Sequence, residues 1–388
     1  MTSPRRVVSL GATGSIGTQA ADVIGRNRER FDVVALSATG RKLPELISQV
    51  RELRPNAVGV TEEEAGRVLN SEFPELEVIV GPKAASEIAA IDSDVVLNGI
   101  SGAAGLEPTL AALDAGSKLA LANKESLIIG GPVVTRKAKP GQIIPVDSEH
   151  SALAQALRAG KRDEVERLIL TASGGPFRGW QSSQLDSIAP DQALSHPTWD
   201  MGPLVTINSA TLVNKGLELI EAHLLFDMPL DQIEVVVHPQ SVVHSMVQFH
   251  DGSTLAQASP PDMRLPIGLG LGWPDRVADV APACDWSRPV EWTFEPVDHQ
   301  TFPAIRLATE VAQAGGVWPA IFNGADEVAV AAFLNNRIPF TGIVKTVRNV
   351  VDSYKDELTR NELDVADVLA ADRWARAAAQ DLIDEREV

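Results

Sequence analysis

Val7-Val8-Ser9-Leu10-Gly11-Ala12-Thr13-Gly14-Ser15-Ile16-Gly17 is the stretch that decides the fold of this chain. Val7 to Leu10 form a short apolar run that reads as a buried strand. Three glycines, each three residues from the next, follow it, and apolar residues then recur at helical spacing to Ile24. Glycine permits a tight turn and close backbone approach, and a helix opening at such a turn aims unpaired N–H groups at whatever lies above it. A strand, a glycine turn and a helix in this order form the first unit of a dinucleotide-binding sheet, with the pyrophosphate on the helix N-terminus. Thr13, Gly14, Ser15 and Ile16 are therefore candidate cofactor contacts.

Outward from this unit, apolar runs at 33–36, 57–60, 78–80, 95–97 and 118–122 read as strands, and 43–53 and 106–115 as helices. Strands interleaved with helices predict an α/β fold with a Rossmann-like, doubly wound parallel sheet. The second strand is followed by Thr39-Gly40-Arg41-Lys42, which holds two cations and no acid. A site for an unphosphorylated ribose ends that strand in Asp or Glu, so Gly40, Arg41 and Lys42 favour a 2′-phosphate, and NADPH over NADH. The middle of the chain changes to an α+β pattern, with strand-like 234–237 and 245–249 and long polar loops. Residues 273–295 read as a linker, and 303–314, 318–334, 342–354 and 365–383 as a small helical bundle. The expected division is an NADPH-binding domain at 1–150, a catalytic domain at 151–272, a linker at 273–299 and a bundle at 300–388.

With 388 residues the chain is long enough for more than one core. A net charge of −18 argues against a nucleic-acid surface. The single cysteine, Cys284, excludes an intrachain disulfide. No apolar run reaches membrane-spanning length, so a soluble, cytoplasmic protein without a membrane partner is expected.

Two clusters carry the chemistry. In Pro145-Val146-Asp147-Ser148-Glu149-His150-Ser151, Asp147 and Glu149 leave one face of an extended chain, and a divalent cation with oxygen ligands would relieve their repulsion. The alternative is a solvated turn capped by Ser148 or Ser151. In Asn208 to Glu221, helical spacing puts Asn214, Lys215 and Glu218 on one side. Glu218 or Glu221 would supply a third carboxylate, and Ser209, Asn214 and Lys215 present donors to a phosphate. Ser173-Gly174-Gly175 has the composition of an anion nest. His196 and Trp199 lie in a Pro- and Gly-bearing segment suited to a closing lid.

Taken together, the motifs at 11–17, 121–127, 145–151, 171–178, 214–218 and 238–245 resemble the 1-deoxy-D-xylulose 5-phosphate reductoisomerase family over nearly the whole chain. The resemblance implies a metal (Mg²⁺, Mn²⁺ or Co²⁺) on Asp147, Glu149 and Glu218. It implies the substrate phosphate on Ser173, Ser209, Asn214 and Lys215, with Lys124, Ser148 and Glu149 near the sugar hydroxyls. His196 and Trp199 would belong to a flap over the substrate, and Met263 would lie by the nicotinamide. Lys124, Glu149, His196 and Lys215 carry the implied catalytic roles, and Asn123, Glu125 and Gly202 join the cofactor contacts. The implied reaction rearranges the carbon chain by retro-aldol cleavage and re-aldolisation, then reduces the branched aldehyde with NADPH, in a homodimer. The sequence departs from the family's commoner residues at Gly99, Ser101, Thr198, Asp200 and Asp326.

Overall fold

The structure is a computed structural model, and it describes residues 3–195, 198–199, 201–355 and 363–385. His196 and Asp200 of the expected flap lie outside the described residues. By its internal contacts the chain divides into two units. Unit one comprises Met1–Ser126, Arg136–Ser151 and Asp262–Pro282, and unit two Leu127–Thr135, Ala152–Pro261 and Ala283–Val388.

Unit one is built on strands β1 (Arg5–Leu10), β2 (Phe31–Ala38), β3 (Ala57–Val60), β4 (Glu77–Val80), β5 (Val95–Asn98), β6 (Lys118–Leu121) and β7 (Ile143–Pro145). They form a seven-stranded sheet in the order β4-β3-β2-β1-β5-β6-β7, with every pairing parallel. Parallel strands joined by crossover helices are covered on both faces, which is why β3 and β5 are buried at every residue. The helices are α1 (Ser15–Gly25), α2 (Leu43–Leu53), α3 (Glu63–Glu72), α4 (Ala84–Ala89) and α5 (Leu106–Ala115); α6 (Lys124–Lys137), broken at Gly131, follows, and its residues 127–135 belong to unit two. Ile24, Leu46, Val50 and Leu69 from the helices pack with Val33, Leu36 and Val58 from the sheet. Neither α3 nor α4 was expected from periodicity. One is polar and opens on Glu63-Glu64, and the other has only six residues.

The extended reading of 147–149 is corrected. Helix α7 (Ser148–Ala156) begins immediately after Asp147, whose carbonyl accepts from Ser151 N–H at 2.8 Å. Asp147 precedes the helix, and its Oδ1 accepts from Glu149 N–H at 3.3 Å, so it serves as the cap assigned above to a serine.

Unit two holds a mixed five-stranded sheet, order β11-β10-β8-β9-β12, from β8 (Val165–Ala172), β9 (Ile233–Val237), β10 (Val243–Phe249), β11 (Thr254–Ala258) and β12 (Glu295–Pro296). The short helices α8 (Ser182–Leu185) and α9 (Pro190–Ala193) precede α10 (Pro203–Ala210) and α11 (Val213–Phe226). Helix α12 (Arg264–Gly272) returns to unit one and packs on α1. The chain closes unit two with α13 (Ala304–Ala314), α14 (Trp318–Leu334), α15 (Phe340–Ser353) and α16 (Val365–Asp384). A Cβ on Gly216 of α11 would lie 2.8 Å from the Cβ of Ala308 on α13, so glycine allows these helices their close contact.

The division differs from the expected one. Residues 262–272, expected in the catalytic domain, and 273–282, expected in a linker, belong to unit one, where Ile267, Leu271, Val277 and Val280 are core residues. The four bundle helices share a unit, and partly a hydrophobic cluster, with the second sheet.

Candidate active site

The glycine turn follows the carboxyl end of β1. Gly11 has φ +74°, and a Cβ there would stand 2.7 Å from the Gly99 carbonyl oxygen. Only glycine fits both the dihedral and the space. Ala12 N–H donates to Ser37 O at 2.8 Å, and Gln49 Nε2 donates to Ala12 O at 2.8 Å, so the turn is fixed against the end of β2. Gly14 is the N-cap of α1 and supplies no side-chain cap, which leaves the first N–H groups of an eleven-residue helix for an anion. Thr13, Gly14, Ser15 and Ile16 form this turn and the first residues of α1. Gly40, Arg41 and Lys42 flank it, with Lys42 Nζ 3.5 Å from Thr13 O. The departure at Gly99 has a local reading, because a Cβ there would press on Ile16 at 3.2 Å.

Asn123 is buried, donating to Gly102 O and to Glu125 Oε2 and accepting from Ser126 N–H. It holds the β6–α6 turn, and Glu125 with it. Met263 is the N-cap residue of α12 and packs on the unit-one core.

At the end of β7 stands the first acid cluster. Asp147 is buried, with Lys124 Nζ 2.5 Å from Oδ2 and His150 Nδ1 3.1 Å from Oδ1. Burial pushes its carboxyl up, but the Lys124 ammonium and the His150 ring outweigh this and hold it well below the usual carboxylate range. Ser148 Oγ–H donates to Glu149 Oε2 at 2.5 Å. Lys124, Asp147, Ser148 and Glu149 are therefore brought together, and His150, quoted in the sequence motif but given no role, completes the group.

The second cluster lies in unit two. Gly174 and Gly175, both at positive φ, turn the chain after β8, and Gly175 N–H donates to Ser173 Oγ at 3.2 Å. A Cβ on Gly175 would be 3.0 Å from both Ala210 Cα and Ser209 O, so the loop bearing Ser173 rests on the end of α10 at Ser209. Across the turn at Leu212, α11 presents Asn214 and Lys215 in its first turn and Glu218 one turn further on. Glu218 is 1% exposed; Asn214 Nδ2 donates to its Oε1 at 2.5 Å, and Lys215 Nζ pairs with its Oε2. Glu221, the alternative acid, is fully buried in the same helix. Gly202 is the N-cap of α10.

Trp199, expected in a flap, meets the ring of His244, with centroids 6.0 Å apart. His244 Nε2 lies 3.1 Å from Ser259 O, which only accepts, so Nε2 carries the proton. No role was assigned to His244 from sequence; its signal was its place in the 238–245 motif. Asp326, another departure, is buried on α14 and accepts from Asn208 Nδ2 at 2.7 Å.

Family models match three stretches. Residues 7–131 match the 1-deoxy-D-xylulose 5-phosphate reductoisomerase model, 143–226 the C-terminal domain model of that reductoisomerase, and 258–378 the DXP reductoisomerase C-terminal domain. The 1-deoxy-D-xylulose 5-phosphate reductoisomerase of Paenarthrobacter aurescens is 58% identical, covering 97% of this chain and 98% of its own. That of Kitasatospora griseola is 59% identical, covering 97% and 99%. The chain belongs to the 1-deoxy-D-xylulose 5-phosphate reductoisomerase family. Solved structures agree over the full length. The Zymomonas mobilis reductoisomerase in complex with NADPH superposes with a TM-score of 0.91 at 41% identity, covering 98% of this chain and 99% of that one. A reductoisomerase in complex with NADPH, fosmidomycin and magnesium superposes with a TM-score of 0.92 at 34% identity, covering 99% of each. The chain is thus an enzyme of the reductoisomerase family with an α/β fold.

Proposed function

We propose that this chain converts 1-deoxy-D-xylulose 5-phosphate to 2-C-methyl-D-erythritol 4-phosphate with NADPH and a divalent metal, as a step of non-mevalonate isoprenoid synthesis. One observation in unit one carries the reading. The glycine turn after β1 and the Lys124–Asp147 pair after β6 and β7 stand on the same carboxyl edge of one parallel sheet. Ligands of such sheets bind at that edge. From β1 to β7 is three strand spacings, roughly 14 Å, a span suited to an extended dinucleotide.

The residues fit both implied groups. The uncapped N-terminus of α1 at Gly14 suits a pyrophosphate, and Asp147, Glu149 and Glu218 are the hard oxygen donors that Mg²⁺ or Mn²⁺ takes. When bound, the metal would polarise the substrate's carbonyl and hydroxyl oxygens, and NADPH would supply the hydride. The chain's own part is positioning. Ser173, Ser209, Asn214 and Lys215 would grip the phosphate, Lys124 and Glu149 would hold or move protons at the sugar oxygens, and the segment of Trp199 would exclude water. A grip at one end of the substrate suits a retro-aldol and aldol sequence, whose two fragments must not separate. A cytoplasmic homodimer is part of the proposal; the exposed Trp286, Val290 and Phe294 of unit two offer apolar surface for a second copy.

The test is NADPH oxidation with 1-deoxy-D-xylulose 5-phosphate and Mn²⁺, with an EDTA control, Glu218→Gln and product analysis. Metal-dependent turnover to the branched polyol phosphate, lost in the variant, is expected. An unbranched polyol, or no turnover by folded enzyme that binds NADPH, would overturn it.

A further inference from the structure

The end of β2 carries no acid in sequence, yet the fold brings one there from the next strand. Glu62 follows β3, whose register pairs Ala38 with Val60. Its N–H donates to Thr39 O at 3.1 Å, and the hydroxyl of the neighbouring Thr61 donates to the same oxygen at 2.9 Å. Gly40 lies against the Glu62 side chain, since a Cβ on it would be 3.3 Å from the Glu62 Cβ. The backbone of Glu62 is therefore tied to the 39–40 turn, and its Oε1 stands 3.5 Å from Arg41 Nε. Arg41 is one of the two cations that follow β2, beside Lys42, which reaches Thr13 of the glycine turn.

We propose that Glu62 is a cofactor-specificity residue: its carboxylate competes with the 2′-phosphate for Arg41 and offers an acceptor to an unphosphorylated ribose. This rests on the proposed use of NADPH. A bound 2′-phosphate brings close to two negative charges to a guanidinium that already has a carboxylate partner, carried on a backbone tied to the 39–40 turn. Toward NADH the same carboxylate plays the part usually taken by an acid at the end of β2. Preference for NADPH is therefore held below what Arg41 and Lys42 alone would give.

The experiment is direct titration of the full-length protein with NADPH and with NADH, read by quenching of tryptophan fluorescence at fixed low salt, for wild type, Glu62→Gln and Glu62→Ala. Glu62 is half-exposed, so both variants are expected to fold. Each variant should bind NADPH more tightly by roughly three- to tenfold, with a gain that shrinks as salt rises, and NADH no more tightly than wild type does. Unchanged or weaker NADPH binding, or equal tightening of both cofactors, would overturn the inference while leaving the proposed function standing. Failure of wild type to bind NADPH would overturn both.

Discussion

Gly175→Ala tests whether the loop after β8 positions the phosphate grip, and Gly179→Ala is its internal control. Both residues have positive φ, +66° and +82°. An L-residue held there costs about 1–2 kcal/mol. Gly179 has nothing within 4 Å of an added Cβ, so its variant should lose only that conformational term, about 1 kcal/mol. At Gly175 the added Cβ meets Ala210 Cα and Ser209 O, both at 3.0 Å and both backbone, so neither can rotate aside. Relief requires the loop and the end of α10 to separate by a few tenths of an ångström, an overpacking cost of about 1–3 kcal/mol more. The difference between the two variants should be about 2 kcal/mol in urea denaturation at constant m. Because Ser209 is the residue displaced, Gly175→Ala should also raise KM for the phosphorylated substrate while leaving NADPH binding unchanged, and Gly179→Ala should do neither. Equal stability losses with an unchanged KM would refute the contact as a positioning device.

Other expectations follow from single contacts. Lys124→Met leaves buried Asp147 with the His150 ring and the Glu149 N–H, and without the ammonium that offsets its charge, and in EDTA the variant should lose about 3 kcal/mol of stability; a loss below about 1 kcal/mol would show that Lys124 is not the dominant partner. Gly11→Ala would drive a Cβ into the Gly99 carbonyl and should abolish NADPH binding by fluorescence titration; retained binding would remove the turn from the cofactor site. For pH, Asp262 is informative. Burial raises its carboxyl, and hydrogen bonds from the Arg264 side chain and backbone, with the Arg264 charge, lower it further than burial raises it. A carboxyl depressed by folding stabilises fully above its unfolded value near 4, and this is lost as pH falls through the folded value. Asp262→Asn should therefore be less stable than wild type at pH 7, with the gap closing as pH drops below about 4; a pH-independent gap would mean packing, not charge, is at stake.

Elements whose burial is governed by one period were legible in the chain. Helices 43–53 and 106–115 and the strand at 57–60 stand where the apolar spacing put them, because each buries one face or both against the sheet. Helix α3 was not legible, since its first turn is Glu63-Glu64 and only Ala65, Gly66 and Leu69 are buried. At Asp147 the period failed for a different reason. An apolar strand running into two acids two apart looks extended until one asks where the free N–H groups go, and here Asp147 takes one as a cap. Residues 273–282 read as linker because Pro and Asp interrupt any period, yet Val277 and Val280 pack in the unit-one core, and Arg26 and Arg30 donate to the carbonyls of Asp279, Val280 and Arg276.

The cofactor edge shows how local motif reading reaches a limit set by geometry. Thr39-Gly40-Arg41-Lys42 lacks an acid in sequence, and on that ground alone the site reads as cationic. In a parallel sheet, however, the ends of neighbouring strands lie about 4.8 Å apart, so the end of β3 stands only one strand spacing beyond the end of β2, within reach of a long side chain. Glu62 reaches Arg41 through a register that no single-strand pattern records. Local charge at a strand end is thus a property of two or three strands together. The same argument applies at the far side of the sheet, where Lys124 after β6 neutralises Asp147 after β7. An acid that reads in isolation as one of a repelling pair is, in the folded sheet, a buried carboxylate already held ionised by the adjacent strand end. That is the state in which an oxygen ligand is ready for a cation without first losing a proton.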